Sequence, residues 1–422
     1  MQKIVTTLKL QLILEEQGRV VRKRTNNLEA YDYFLRGMEA FDRLTREKDF
    51  QARELWEKAI ALDPQYAEAY TALGWTYWGE WAWGWNQDSQ TLDRALALAR
   101  QAMALDNSLP QAHEVLSAVY AQQQQYDQAI AEGAQAIALD PNNADGYANQ
   151  AEILSLARRP EEALRMLKQA MRLNPRYPTW YVAQEGLAYY VMSRYEEAIV
   201  ALRESVLRTP EYPGAYILLA HSYHEQWGFQ LNRDLQVLDQ AFAAVQRAIA
   251  LSNASPNVHI ALGMNYLLQK QYDDALAEMK RVVTLAPALA ESYTALALVL
   301  SSMGKSEDAL QAVERALRLN PSVADTDSFV VGLTYGFAGR LEEALPLLQR
   351  FVGQCPNMLG GHLVLAYIYS ELGKEAEAWA EAAEVRRINP KFSLEVHKER
   401  VPIKDPAILK RQIVALRKAG LK

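Results

Sequence analysis

Lys58–Tyr77 reads KAIALDPQYAEAYTALGWTY and holds the end of one helix, a proline turn and the beginning of the next. The first helix closes on Lys-Ala-Ile-Ala-Leu-Asp and is stopped by Pro64, which has no amide donor and disfavours helical geometry in the residue before it. In the amphipathic helix that follows, the small Gly74 admits a close neighbour. Tyr77, one turn later, supplies bulk for the gap between helices. The order small, aromatic, small, proline can be traced outward in both directions.

Ten units carry it. The small residue of each first helix falls at Gly37, Gly74, Ser117, Ala151, Gly186, Ala220, Gly263, Ala297, Gly332 and Ala366. Tyrosine follows three residues on at Tyr77, Tyr120, Tyr189, Tyr223, Tyr266, Tyr335 and Tyr369. Each second helix places an alanine at the crossing: Ala52, Ala95, Ala129, Ala163, Ala198, Ala241, Ala275, Ala309, Ala344 and Ala378. Prolines end the units at Pro64, Pro141, Pro175, Pro210, Pro287, Pro321, Pro356 and Pro390, with Asn107 and Asn253 in the other two places. The period is close to the 34 residues of a tetratricopeptide repeat, a helix pair that cannot bury its apolar face without neighbours. The expected fold is therefore all-α, a right-handed α-solenoid of about ten such hairpins.

A longer symmetry overlies the short one. The same offset, 146 residues, relates Ser117 to Gly263, Ala151 to Ala297, Gly186 to Gly332 and Ala220 to Ala366, as a duplicated block of four repeats would. The second and sixth units each carry a long loop, at 78–94 and 224–240, in which Trp81 matches Trp227 and Asp93 matches Asp239.

The chain has 422 residues, half of them hydrophobic, and a net charge of -6 without long runs of either sign. Nothing in it resembles a nucleic-acid footprint. The one basic cluster, Arg19–Arg24, is short and reads as a solvated segment. A single cysteine, Cys355, excludes an internal disulfide framework and fits a reducing compartment. Met1–Gln17 reads as one amphipathic helix, with charges at Lys3, Lys9, Glu15 and Glu16 that leave no apolar run long enough for a signal peptide or membrane span. The expected location is the cytoplasm, with no membrane partner.

Stacked helix pairs curve into a concave surface lined by first helices. One and four residues past the small position the sequence places Met38 and Phe41, Trp75 and Trp78, Leu187 and Tyr190, His221 and His224, Met264 and Leu267, and further on Tyr367. This apolar and aromatic row suits a protein or peptide partner, either an amphipathic helix or an extended apolar segment. The alternative is a groove covered by its own chain. Ala118, Ala121, Glu152 and Ser155 interrupt the row, so two patches are expected rather than one track. Lysine and arginine are absent from these inward positions.

The most conspicuous feature is WTYWGEWAWGW, Trp75–Trp85. An aromatic platform for a small ligand is one reading of Trp81, Trp83 and Trp85. Packing is the stronger one, since the duplicate holds Trp227, Phe229 and Leu231, which keep the apolar pattern and lose the aromaticity.

Catalytic motifs are missing: there is no phosphate loop, no HExxH, no CxxC and no GxSxG. His221, His224 and Glu225 come nearest to a metal site, but no third ligand is identifiable beside the two rings. No catalytic residue, metal site or cofactor is expected. His113 and His259 occupy equivalent places and read as structural.

TNNLEAYDYFLRG, KAIALDPQYAEAYTALGWTY and the ending NPKFSLEVHKERVPIKDPAILKRQIVALRKAGLK together resemble the C-terminal tetratricopeptide regions of bacterial class III adenylate/guanylate cyclases. The resemblance implies a cyclase domain, then a TolB-like domain, upstream of such repeats. QKIVTTLKLQL resembles the last helix of the latter. The same repeats also resemble those that follow a winged-helix regulator in some bacterial proteins. The cyclase's metal-binding aspartates have no counterparts here, so any such activity would reside in a domain absent from this chain. The expected organisation is an N-terminal helix and linker at 1–26, ten repeats at 27–391 and a capping helix within 392–422, begun by Asp405 and Pro406. The expected function is a protein-interaction scaffold in bacterial signalling, or alternatively a small-ligand sensor regulating a fused or associated nucleotide cyclase. Self-association through the N-terminal helix is a further option.

Overall fold

The computed structural model describes residues 25–422 apart from 42–45, 83–87, 232–233, 235 and 254. The expected helix at Met1–Gln17, the basic cluster at Arg19–Arg24, and Trp83 and Trp85 lie outside the described residues.

Helix hairpins follow one another along the chain. The first five are α1 (Leu28–Phe41) with α2 (Arg46–Leu62), α3 (Ala67–Ala82) with α4 (Ser89–Leu105), α5 (Pro110–Gln122) with α6 (Tyr126–Leu139), α7 (Ala144–Leu156) with α8 (Pro160–Leu173), and α9 (Thr179–Val191) with α10 (Tyr195–Arg208). The next three are α11 (Pro213–Gly228) with α12 (Val237–Leu251), α13 (Pro256–Leu268) with α14 (Tyr272–Leu285), and α15 (Ala290–Ser302) with α16 (Ser306–Leu319). A single turn, α17 (Val323–Thr326), leads into α18 (Ser328–Phe337) with α19 (Leu341–Gln354), and α20 (Leu359–Glu371) with α21 (Glu375–Ile388) completes the hairpins. Two helices close the chain, α22 (Leu394–Arg400) and α23 (Pro406–Lys418). Each first helix packs on its own second helix and on the next pair. Among the described residues there is no β-strand.

The small positions do what their size predicts. All ten, from Gly37 to Ala366, are buried. The ten crossing alanines are at most 1% exposed. Where the small residue is polar it is satisfied, as at Ser117, whose hydroxyl donates to the Ala129 carbonyl at 2.6 Å.

Every one of the eight repeat-ending prolines sits in the turn just past the end of a second helix, with one residue between. At five of the eight the residue before the proline caps the turn, and Asp106 does the same before Asn107. The side chains of Asp63, Asp106, Asp140, Asn174, Asn320 and Asn389 accept the backbone N–H two residues on, at 3.0–3.2 Å. Tyr70, Tyr147 and Tyr293 donate back to the turn carbonyls of Pro64, Pro141 and Pro287. At the same repeat position His259 and His362 reach the carbonyls of Asn253 and Pro356 through Nε2. His113, His259 and His362 each also hold a glutamate of the following helix, Glu132, Glu278 and Glu381, at 2.6–2.7 Å from Nδ1. These histidines tie the two helices of a pair together.

Within the third to tenth hairpins the chain turns through a left-handed residue. Gln124, Arg158, Ser193, Gln230 and Lys270 take φ between 56° and 60°, whereas the later repeats use Gly304, Gly339 and Gly373 there. A side chain at this φ is strained, and two of the five make contacts that account for it. Gln124 donates to Glu291 and accepts from Asn320 Nδ2 at 2.9 Å, so the third repeat touches the eighth. Gln230 donates to the Ser393 carbonyl at 2.8 Å and accepts the Ser393 N–H at 3.0 Å, joining the sixth repeat to the C-terminal segment. Beside it Asn389 donates to the Phe229 carbonyl, and the Arg400 guanidinium lies 4.0 Å over the Trp227 ring while donating to the Trp227 carbonyl.

The start of the second long loop, through Gln230, is thus packed. Trp227 joins the core of repeats five to seven, and Phe229 packs on the C-terminal core. Asp405 caps α23 by accepting from Ala407 and Ile408, with Pro406 in the first helical turn. Ile413 and Leu416 are buried and Leu409 half-buried against the last repeats. Cys355 is buried at the end of α19, and burial pushes its thiol above the usual range.

Candidate functional site

The inward row divides between groove and core. Met38 is exposed at the N-terminal end, while Phe41 is half-buried with its ring 5.5 Å from Trp56. Trp75 and Trp78 are half-buried and meet edge to face at 5.1 Å. Leu187, Tyr190, His221 and Met264 are half-buried along the middle first helices. The Tyr190 ring stands 5.7 Å from Tyr195, and its hydroxyl donates to Glu225 at 3.4 Å.

Three expected groove residues are withdrawn into the core. His224, 5% exposed, is covered by α13, where Asn265 Nδ2 lies 3.4 Å from its Nε2. Leu267, 1% exposed, packs with Met279 and Val299. Tyr367 is fully buried beneath Phe337 and the Arg411 guanidinium of α23. In each case a bulky neighbour or the capping helix closes over a position that the repeat pattern leaves open.

The expected interruption of the row has a different meaning in three dimensions. Ala118, Ala121 and Glu152 join Trp75 and Trp78 in one cleft that encloses about 660 Å³, its open mouth included. Glu114, Gly133, Gly146, Asn149 and Gln150 are among the other residues of its walls. Small residues here remove bulk and make room. Ser155 is buried, donating to the Ala151 carbonyl, and takes no part.

Carboxyls in this surface are held toward their neutral form. Burial, reinforced by Asp145 and Asp140, raises Glu114 to about 7 against the 2.7 Å hydrogen bond from Asn143. Burial raises Glu152 to about 7 although Gln184 donates to it at 2.8 Å. Burial raises Glu225 to about 7 as well, opposed by the Tyr190 hydrogen bond. Burial lowers His221 to about 4, and burial with the His221 charge lowers His224 to about 3, so both rings are neutral at physiological pH. Trp78 Nε1, Gln150 Oε1, Gln184 Oε1 and His224 Nδ1 are buried without a hydrogen-bond partner. Among the described residues no group of three or more His, Cys, Asp and Glu side chains is arranged to hold a metal ion. No helix among them is long and apolar enough to cross a membrane.

The acidic and amide residues of the cleft do not stand out in the sequence. Glu152 reads there as a break in an apolar row. Its partner Gln184 is an ordinary helix residue until the hairpins are stacked.

Tetratricopeptide-repeat family models match residues 134–165, 256–289 and 290–323. The last two frames coincide with the pairs α13–α14 and α15–α16. "Putative adenylate cyclase 3" of Rhizobium meliloti (strain 1021) is 30% identical over 115 residues, which is 27% of this chain and 20% of that protein. The chain thus spans about one fifth of the curated relative it matches. Among solved structures, the APC/C hetero-tetramer Cut9-Hcn1 aligns over 99% of this chain and 82% of its own with TM-score 0.52 and 16% identity. TTC0263, a thermophilic TPR protein of Thermus thermophilus, aligns over 45% of this chain and 98% of its own with TM-score 0.41 and 23% identity. The repeat frames, the buried small positions and the full-length solenoid likeness converge: the chain is built from tetratricopeptide repeats.

Proposed function

We propose that this chain is a protein-interaction module of bacterial signalling that holds a partner segment, an amphipathic helix or an extended apolar stretch, in its concave groove. It binds and does not catalyse. The observation that carries the reading is the half-buried inward row Trp75, Trp78, Leu187, Tyr190, His221 and Met264. An inner face meant only for water would carry charge at these positions. Solenoids offer such concave surfaces for binding, and each large apolar side chain that a partner covers fully contributes about 1.5–3 kcal/mol before ordering costs.

Trp78→Glu, Tyr190→Glu and Met264→Glu test it, each checked for fold by circular dichroism. Leu207→Glu is the control, since Leu207 is 80% exposed on the outer helix α10. The groove variants should lose the protein captured from lysate of the source cell and the control should keep it. Unchanged capture by all three would sink the reading.

The likeness to the Rhizobium meliloti protein favours a second reading, in which the repeats sense a small ligand and regulate a fused or associated nucleotide cyclase. Titration of the chain with aromatic compounds and sugars, followed by tryptophan fluorescence, tests that reading; silence across a broad panel counts against it.

A further inference from the structure

The cleft between the second and fourth repeats has a one-sided chemistry. Glu114 and Glu152 line it, and so does Gln150, which is 5% exposed. Gln150 Nε2 donates to the Ile130 carbonyl at 3.1 Å, while its Oε1 is buried with no donor. Gln184, which holds Glu152, also has an Oε1 without a donor. The lining contains no lysine, arginine or histidine. The neighbours that act on Glu114 are the acidic Asp145 and Asp140, and no cation acts on Glu152. Two indoles, Trp75 and Trp78, line the same cleft. Buried acceptors without donors leave a need that a ligand can fill.

Resting on the groove reading above, we propose that this cleft receives an arginine side chain of the bound partner segment. A guanidinium matches the wall better than an ammonium does. Its planar fork presents several donors at once to the carboxylates of the wall, and its face stacks on an indole. It also supplies the charge that the buried carboxyls lack, so that Glu114 and Glu152 ionise as it enters. The partner's other side chains occupy the apolar row toward Tyr190 and Met264. The room left by Ala118 and Ala121 is what admits the long side chain, while the space at Gly133 is filled by the Gln150 amide.

The test uses the full chain and a short fluorescein-labelled alanine–leucine peptide with one central arginine, followed by fluorescence polarisation. The same peptide with citrulline, uncharged and nearly isosteric, is the comparison, and free spermidine is the competitor. The arginine peptide should bind about tenfold or more tightly than the citrulline peptide. Glu152→Gln and Glu114→Gln should erase most of that ratio, whereas Glu204→Gln, at an exposed carboxyl on α10, should preserve it. Equal binding of both peptides to the unaltered chain overturns the proposal without relying on any variant. If that common binding disappears in Trp78→Glu, the groove reading stands and the arginine site alone is lost. Displacement by spermidine as strong as by unlabelled arginine peptide would make the site one for free amines and also overturn it. Failure of either peptide to bind removes the arginine site, and the capture experiment still decides the groove.

Discussion

At Gly37 an alanine Cβ would stand 2.3 Å from Trp56 Nε1, an indole 1% exposed that donates to the Phe34 carbonyl. The ring cannot yield without losing its bond, so Gly37→Ala should destabilise by about 1–3 kcal/mol in urea unfolding. Gly353, inside α19, has nothing within 4 Å of such an atom, and Gly353→Ala should stabilise by about 0.5–1 kcal/mol. Glu152 makes stability depend on pH. Its folded pKa is raised from 4.5 to about 7 by burial, so the neutral form carries the stability. That contribution is complete below the unfolded value and is lost as pH rises through the folded one. Glu152→Gln should therefore raise the melting temperature near pH 8 and change it little near pH 5; an equal shift at both would contradict the burial argument. Among single residues the packing positions are legible in the sequence, because size and spacing repeat ten times. Glu152 is not, since a carboxyl on an inward face acquires meaning only from Gln184, brought there by the stacked hairpins.

The elements follow from local rules: proline after the second helix, a left-handed residue inside the hairpin, Asp405 and Pro406 at the start of α23. The turns carry a contrast that can be measured. Lys270 and Gln230 share the same backbone conformation, but only Gln230 is doubly bonded to Ser393. Lys270→Gly should be neutral or stabilising by up to about 1 kcal/mol, since glycine removes left-handed strain. Gln230→Gly should destabilise by about 1–2 kcal/mol and speed amide exchange in α22, the net of two lost hydrogen bonds over relieved strain. Equal responses would deny Gln230 its latching role. Helix pairs are readable because they are periodic. The latches are not, since Gln124 with Glu291 and Gln230 with Ser393 join positions that no repeat relates.

Across the whole molecule, the third repeat meets the eighth and the sixth meets the C-terminal segment, so hairpins far apart in sequence are held together. This closure also explains why some expected groove residues are buried. The repeat pattern puts Tyr367 on an open inner face, but the last repeat lies under α23, and the residue that would greet a partner greets Arg411. Half-open residues of the inward row accordingly lie in the second to seventh repeats, at Trp75, Trp78, Tyr190 and Met264. Whether a partner lies there is decided by photo-crosslinking in the source cell. A benzoylphenylalanine replaces Ala118, on the cleft wall, or Leu207, on the outer face. Crosslinks to a protein partner from the Ala118 position, and none from the Leu207 position, are the expected result. A partner crosslinked only through the Leu207 position would contradict the concave groove as the binding surface.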